Sequence, residues 1–337
     1  MMAFVTGAGG CVGRQLVQRL LEQGWRVTGL LLPSEADSFP FKDDLRVRRV
    51  IGEINSLPGD AIAPGDTVFH LAAQVHTVPK TEVQRQKFFQ VNRDGTARVA
   101  QAASGSGAAG FVFVSTVAVY GHRQEREPCP EDAPAEPETP YGRSKLEGES
   151  KVREILGGRV PFVIARPVVV YGPGDRGNFV KLVGAVRKGR LPAIDGGRAR
   201  KKILYVKNLA ATLAFLGANA AEFDGLVVNV ADSETLTLRE IATAVARTLG
   251  VDLRIINLPL WLIRPMALLG DLAGWALRRE MPLSTRRLRV VTSDTLIDTS
   301  RLEGILKDRL ALRPFEECLK DYLGRTFSSS GRVNEKR

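Results

Sequence analysis

The stretch TGAGGCVG at residues 6–13 lies between a short apolar run, MAFV, and a segment in which Val12, Leu16, Leu20 and Leu21 recur at helical spacing. Glycines at 7, 10 and 13 permit a tight turn and close backbone approach. The helix that follows offers unpaired amides and the positive end of its dipole to an anion. In a strand–turn–helix context this is a dinucleotide-binding loop, with Cys11 and Val12 inside it. The bland alternative is a glycine-rich turn that holds nothing.

Such a loop demands more strands of the same kind, and the chain supplies them. RVTGLLL (26–32), RVRRVI (46–51), DTVFHLAA (66–73), GFVFVST (110–116) and VPFVIARP (160–167) are rich in Val, Ile and Phe, and helical segments over 11–23, 81–103 and from 141 onward separate them. Apolar strands alternating with amphipathic helices predict an α/β fold, a doubly wound parallel (Rossmann) sheet whose ligands sit at the carboxyl ends of its strands. The expected division is a dinucleotide domain over 1–171, to which strands near 203–207 and 226–231 return. Residues 172–202 and 232–325 then form a smaller, mostly helical substrate lobe, and 326–337 a disordered tail. At the end of the second strand stand Leu30, Leu31, Leu32 and Pro33, with neither a carboxylate for a ribose hydroxyl nor an arginine for a 2′-phosphate. NAD and NADP both stay open.

YGRSK at 141–145 follows the proline-rich run PCPEDAPAEPETP. If Pro140 opens a helix, Tyr141 and Lys145 share one face, one turn apart. A phenol titrates at about 10 and is a poor base at neutral pH. A neighbouring ammonium favours the phenolate and brings it into working range. The pair is therefore either a base with its electrostatic tuner or an ordinary amphipathic pair.

Bulk properties exclude several classes. The net charge of +11 suits an anionic ligand, but the basic residues lack interleaved aromatics, which argues against nucleic acid. Two local basic clusters, GGRARKK (196–202) and RRLR (286–289), are either solvated loops or anion contacts. Three histidines (His70, His76, His122) and three cysteines (Cys11, Cys129, Cys318) show no metal-ligand spacing, and no metal is expected. The cysteines, with no signal peptide in MMAFVTGAGG, suggest a reducing, cytoplasmic setting. The apolar stretch from 255 to 277 is broken by Pro259, Arg264, Pro265 and Asp271, so no integral membrane segment is expected.

Taken together, these motifs resemble the extended short-chain dehydrogenase/reductases, specifically the NAD-dependent epimerase/dehydratase family that acts on sugar nucleotides. TGAGGCVG is similar to that family's TGxxGxxG. GEI (52–54), with Glu53 and Ile54, falls where the family reads adenine. HLAA (70–73), with Leu71, Ala72 and Ala73, matches the loop under the nicotinamide ribose, and VNRDGT (91–96), with Asn92, matches VNxxGT. VSTVAVYG (114–121) places the catalytic Ser/Thr on Thr116, and RPVVVYGPGD (166–175) enters the substrate lobe.

The resemblance implies Tyr141 as acid/base, Lys145 on the nicotinamide ribose and as tuner of the tyrosine, and Thr116 on the reacting oxygen. It also implies NAD or NADP as cofactor, a UDP-sugar as substrate and a homodimer. Asn178 and Phe179 would line the nucleotide pocket, and Lys201 with Arg287 or Arg289 would clamp the diphosphate. Family dehydratases carry Asp-Glu after the catalytic Ser/Thr. Here Val117 and Ala118 stand instead, which leaves 4-epimerisation or 4-keto reduction. In the nearest subgroup an aspartate stands where this chain has Lys207. Two other readings share the core: a 3β-hydroxysteroid dehydrogenase-type enzyme, suggested by LPLWLIRPMALLG, and a dinucleotide sensor without catalysis.

Overall fold

In the computed structural model, which describes residues 1–75, 79–122, 127–175, 177–276 and 283–328, the apolar runs form the expected sheet. The strands β1 (Met2–Thr6), β2 (Arg26–Leu31), β3 (Val47–Ile51), β4 (Thr67–His70), β5 (Gly110–Val114) and β6 (Phe162–Pro167) all run parallel. A seventh, Leu226–Val230, joins the far edge. With the intervening β7 (Val169–Tyr171), β8 (Arg190–Ile194) and β9 (Arg200–Tyr205), that strand is β10, and the sheet order is β10-β6-β5-β4-β1-β2-β3. The reversal of order beside β1 is where such folds bind ligands.

Helices cover both faces. On one face α1 (Cys11–Glu22) packs beside a helix at Val206–Ala218. The other face carries α2 (Glu82–Phe89), α3 (Gly95–Ser106) and α4 (Pro140–Leu156). The single helix expected over 81–103 is three pieces, because a π-helical turn at Gln90–Asp94 separates α2 from α3. Such turns are frequent at functional sites.

The chain beyond β7 contains α5 (Asn178–Arg187), β11 (Thr235–Thr237), α7 (Leu238–Leu249), β12 (Arg254–Leu258), α8 (Leu260–Ala276), α9 (Thr285–Thr292), α10 (Ser300–Leu306) and α11 (Phe315–Ser328), while the Val206–Ala218 helix, α6, returns to cover the main sheet. Only one of the two expected returning strands reaches the main sheet. β10 takes the free edge of β6, whereas β9 lies between β7 and β11 in a separate three-stranded sheet, and β8 pairs with β12. The short β7, directly after Pro167, leads the chain away from the main sheet and gives β9 its parallel partner. α11 continues through 328, past the expected start of the tail at 326; residues 329–337 lie outside the described residues. Among the described residues, no helix is long and apolar enough to cross a membrane.

Candidate active site

α1 begins at an N-cap, Gly10, that provides no side-chain acceptor, so its first-turn amides, from Cys11, Val12 and Gly13, point outward as donors. The glycines are needed for space. A Cβ on Gly7 (φ +67°) would lie 2.9 Å from Ala72 N, and one on Gly13 would lie 2.1 Å from Gly7 O. Half-buried Cys11 donates its Sγ proton to Pro173 O at 3.3 Å, tying the loop to the entrance of the substrate lobe. Burial pushes its thiol up to about 11, so it is an inert packing group at neutral pH.

A residue that the sequence reading missed completes this end. Glu35 lies four positions beyond β2, and a Cβ built on Gly9 would come within 2.6 Å of its carboxylate. That carboxylate accepts from Leu32 N at 3.1 Å. Arg14 flanks it, donating to Gly9 O (2.8 Å) and Ser38 Oγ (3.1 Å). Glu53 and Ile54 sit further along the same edge, Glu53 exposed and Ile54 buried in the core.

The loop after β4 is fixed by a chain of hydrogen bonds. Leu71 N and Ala72 N both donate to Thr6 Oγ1 (3.1 Å each), which donates to His70 Nδ1 (2.7 Å). His70 Nε2 donates to Thr96 Oγ1 (2.9 Å), and Thr96 passes its proton to Asn92 O (2.7 Å). The two threonines thereby select the Nε2–H tautomer. Burial, reinforced by nearby Lys145, holds His70 well below its ordinary range, so it stays neutral. Ala73 continues this loop, whereas the next histidine, His76, lies outside the described residues. The fully buried Asn92 amide accepts from Gln74 N (2.7 Å) and donates to Gln74 O (3.2 Å) and Ser144 Oγ (2.9 Å). Its side chain joins this loop to α4 and acts as a positioning group.

α4 starts as its sequence demands. Thr139 caps it by accepting from Gly142 N (3.0 Å), and Pro140 fills the first turn. Gly142 lets this turn approach the strand-end loop, since a Cβ there would lie 2.6 Å from Ala118 O. This brings Thr116 beside the phenol of Tyr141, and Thr116 Oγ1 accepts from Ala118 N at 3.2 Å. Tyr141 is half-buried, with its ring edge-on to Phe88 at 6.4 Å. Burial raises its pKa, and the nearby Thr116 hydroxyl works in the opposite direction.

One turn on, Lys145 is fully buried, its Nζ over the Phe113 ring at 4.0 Å and, among the described residues, without a hydrogen-bond partner. Burial lowers its pKa from 10.5 to about 7, against the attraction of Glu149. Between these values the unfolded chain holds a proton that the folded chain lacks, so this lysine's contribution makes the ligand-free protein more stable as pH rises through the window. We expect the thermal midpoint to climb from pH 7 to 10 more steeply in wild type than in Lys145→Met. Equal slopes would mean the ammonium is hydrated and charged throughout.

Behind the pair, Glu149 and Arg166 form a buried bidentate ion pair (2.9 and 2.7 Å). Ser115 donates to the same carboxylate at 2.6 Å, and Arg166 also donates to Tyr120 Oη at 2.8 Å. This network fastens α4 to β5 and β6, setting Tyr141 and Lys145 against Thr116.

The residues expected to hold substrate are dispersed. Asn178 is exposed at the start of α5, while Phe179 is buried and stacked on Tyr171 at 4.3 Å. Lys201 Nζ donates to the carbonyls of Val290 (2.9 Å) and Ser293 (2.6 Å), pinning β9 to the end of α9. Arg287 and Arg289 are exposed on α9. Lys207, where an aspartate was expected, pairs with Asp321 of α11. Among the described residues no cluster could hold a metal ion.

An uncapped helix start beside a backbone cradle, and a buried ammonium without a partner, are both features that a nicotinamide dinucleotide satisfies. The residues present fit one, with pyrophosphate on the 7–13 loop and ribose hydroxyls on Lys145.

Comparison with known proteins agrees with this site. Residues 3–231 match the profile of the NAD dependent epimerase/dehydratase family. N-acetyl-alpha-D-glucosaminyl-diphospho-ditrans,octacis-undecaprenol 4-epimerase of Escherichia coli O157:H7 is 27% identical over 72% of this chain and 73% of its own length. Ceramide reductase of Caulobacter vibrioides is 32% identical over 76% and 73%. The structure of UDP-glucuronic acid 4-epimerase from Bacillus cereus in complex with NAD shares the fold, with a TM-score of 0.72 and 20% identity over 97% of this chain and all of that one. With a glycine cradle, a Thr–Tyr–Lys constellation and a match that spans both, the chain belongs to the NAD-dependent epimerase/dehydratase family.

Proposed function

We propose that the protein acts at C4 of a sugar carried on a diphosphate, by 4-epimerisation or 4-keto reduction, with Tyr141 as the proton donor and acceptor. The observation that carries this reading is Tyr141 set beside Thr116, one helical turn from the buried and, among the described residues, unpartnered Lys145 ammonium. When bound, the dinucleotide supplies the hydride acceptor or donor. Tyr141, kept protonated by burial, gives its proton to a carbonyl oxygen that becomes a hydroxyl, and takes it back in the oxidising direction. A charged Lys145 favours the phenolate that this return step needs. Thr116 accepts from Ala118 N–H, which leaves its own proton for Tyr141 or the reacting oxygen. Val117 and Ala118 offer no acid or base for removing water, which argues against dehydration.

The relatives named above support the substrate class, since two of them are named as 4-epimerases of diphosphate-linked sugars. Arg287 and Arg289 serve as the diphosphate contacts in this reading. Lys201, whose ammonium already meets two carbonyls, positions their helix. Asn178 contributes at the nucleotide end, backed by Phe179. Incubation with NAD and UDP-glucose or UDP-N-acetylglucosamine, followed by chromatography, is expected to show the 4-epimer; a 4-ketoreductase is expected instead to oxidise NADH when given a UDP-4-ketosugar. UDP at millimolar concentration is expected to compete. No turnover and no competition would overturn this reading. The ceramide reductase relative favours an apolar alcohol or ketone as the second reading, to be tried in the same assay.

The cofactor choice is read from Glu35. A carboxylate against Gly9 is placed to accept from ribose hydroxyls and to repel a 2′-phosphate, so NAD is the preferred dinucleotide. Glu35→Ser is expected to shift the ratio of NADP to NAD affinity upward by about tenfold or more, the scale of one charged hydrogen bond. Calorimetry with both dinucleotides checks this, and an unchanged ratio would exclude Glu35 as the discriminator.

A further inference from the structure

α8 has an inner and an outer face with opposite surroundings. Ile263 and Ala267 are buried against Leu288 of α9, with Ile194, Leu258 and Leu260 packed around them. Asp271 also turns inward, accepting from Thr285 N and Thr285 Oγ1 at the start of α9. On the outer face, Trp261, Leu262, Met266, Leu268, Leu269 and Leu272 recur at spacings of three and four. They are 46–74% exposed, and among the described residues nothing covers them. Val290 and Val291 of α9 are also exposed (57% and 39%). A contiguous apolar face of this kind is unusual on a monomer and marks a place of contact.

Charge identifies the occupant. Arg264 on α8 and Arg289 on α9 are exposed, and the one described acidic residue of these two helices, Asp271, is tied inward. The chain as a whole carries +11. A second copy seated on this face across a two-fold axis would bring like charges together. An anionic lipid surface takes up both features at once, with apolar side chains among the acyl chains and arginines among the headgroups. At 17 residues, with Arg264, Pro265 and Asp271 along it, α8 lies in the interface and does not cross it.

We propose that the outer face of α8, with the adjoining end of α9, docks the enzyme onto anionic phospholipid bilayers. Docking itself rests on the exposed face of α8 and α9, and its consequence for a substrate rests on the proposed function. Because α9 also carries Arg287 and Arg289, docking would place the substrate lobe at the membrane surface, within reach of a lipid-anchored substrate.

The test uses the full chain and vesicles of phosphatidylglycerol with phosphatidylcholine, against vesicles of phosphatidylcholine alone. Wild type is expected to cosediment with the anionic vesicles, less so at high salt. Its tryptophan emission is expected to shift to the blue, and Trp261→Phe is expected to abolish that shift. Leu268→Glu/Leu269→Glu/Leu272→Glu is expected to partition at least about tenfold less. Dinucleotide affinity, as a check on folding, is expected to stay unchanged in that variant. Three results would each overturn the proposal. These are no sedimentation of wild type with anionic vesicles, equal partitioning of the triple variant, and wild type that ignores vesicles but falls from dimer to monomer in the triple variant.

Discussion

Tyr141→Phe is expected to lower turnover by roughly two to four orders of magnitude, the range for a positioned acid/base. Dinucleotide affinity and melting temperature are expected to stay close to wild type. The substitution is clean because the ring keeps its edge contact with Phe88 and its half-buried seat, while only the hydroxyl beside Thr116 is lost. Rates measured under saturating dinucleotide separate this from a binding defect. A phenylalanine enzyme within a few-fold of wild type would reduce Tyr141 and Lys145 to an amphipathic pair and would move the search for the acid elsewhere.

Gly10→Glu is expected to raise the dissociation constant for dinucleotide by roughly a hundredfold or more, about the weight of a displaced charge contact. Gly10 is the N-cap of α1, and a Cβ there meets Gly7 O at 3.3 Å, which is close but tolerable. The new carboxylate would settle on the first-turn amides and take the place of the pyrophosphate. The helix tolerates it for the same reason, because an anion at that end complements the dipole. Lost affinity with a normal melting curve is the expected pair of results from calorimetry and thermal scanning. Unchanged affinity would put the dinucleotide somewhere other than the 7–13 loop.

What was legible in the sequence is what depends on near neighbours. The glycine loop, the Thr139-capped helix with Tyr141 and Lys145 on one face, and the apolar strands of the main sheet are all written within a dozen residues. Long-range choices were not. Nothing local tells β9 to pair with β7 and β11 and not with the main sheet, since a buried strand reads the same in either place. Glu35 escaped because the search stopped at the end of β2, and only the turn after Pro33 brings its carboxylate back over Gly9. Lys201 lies in a basic run that suggests an anion, and the backbone carbonyls that hold it come from ninety residues further on. Lys207, where the subgroup carries an aspartate, finds its partner in Asp321 of α11, far along the chain. Asn92 has its amide bonded to Gln74 and Ser144, partners that no spacing rule would name.

The Glu149–Arg166 pair constrains how this enzyme can drift over generations. Neither side chain faces the reacting oxygen, yet each is buried, and Arg166 is the buried partner of a carboxylate whose other ion pair, among the described residues, is with the half-exposed Arg153. Losing one partner strands a charge, at a cost of about 3–5 kcal/mol, whereas exchanging both for apolar groups of similar volume costs far less. Single changes at 149 or 166 are therefore expected to be harmful in isolation and tolerable together, a strong positive epistasis that a double-mutant cycle on melting temperature would measure. Changing one solution for the other by single steps is expected to pass through a less stable intermediate that also loosens the Tyr141 helix.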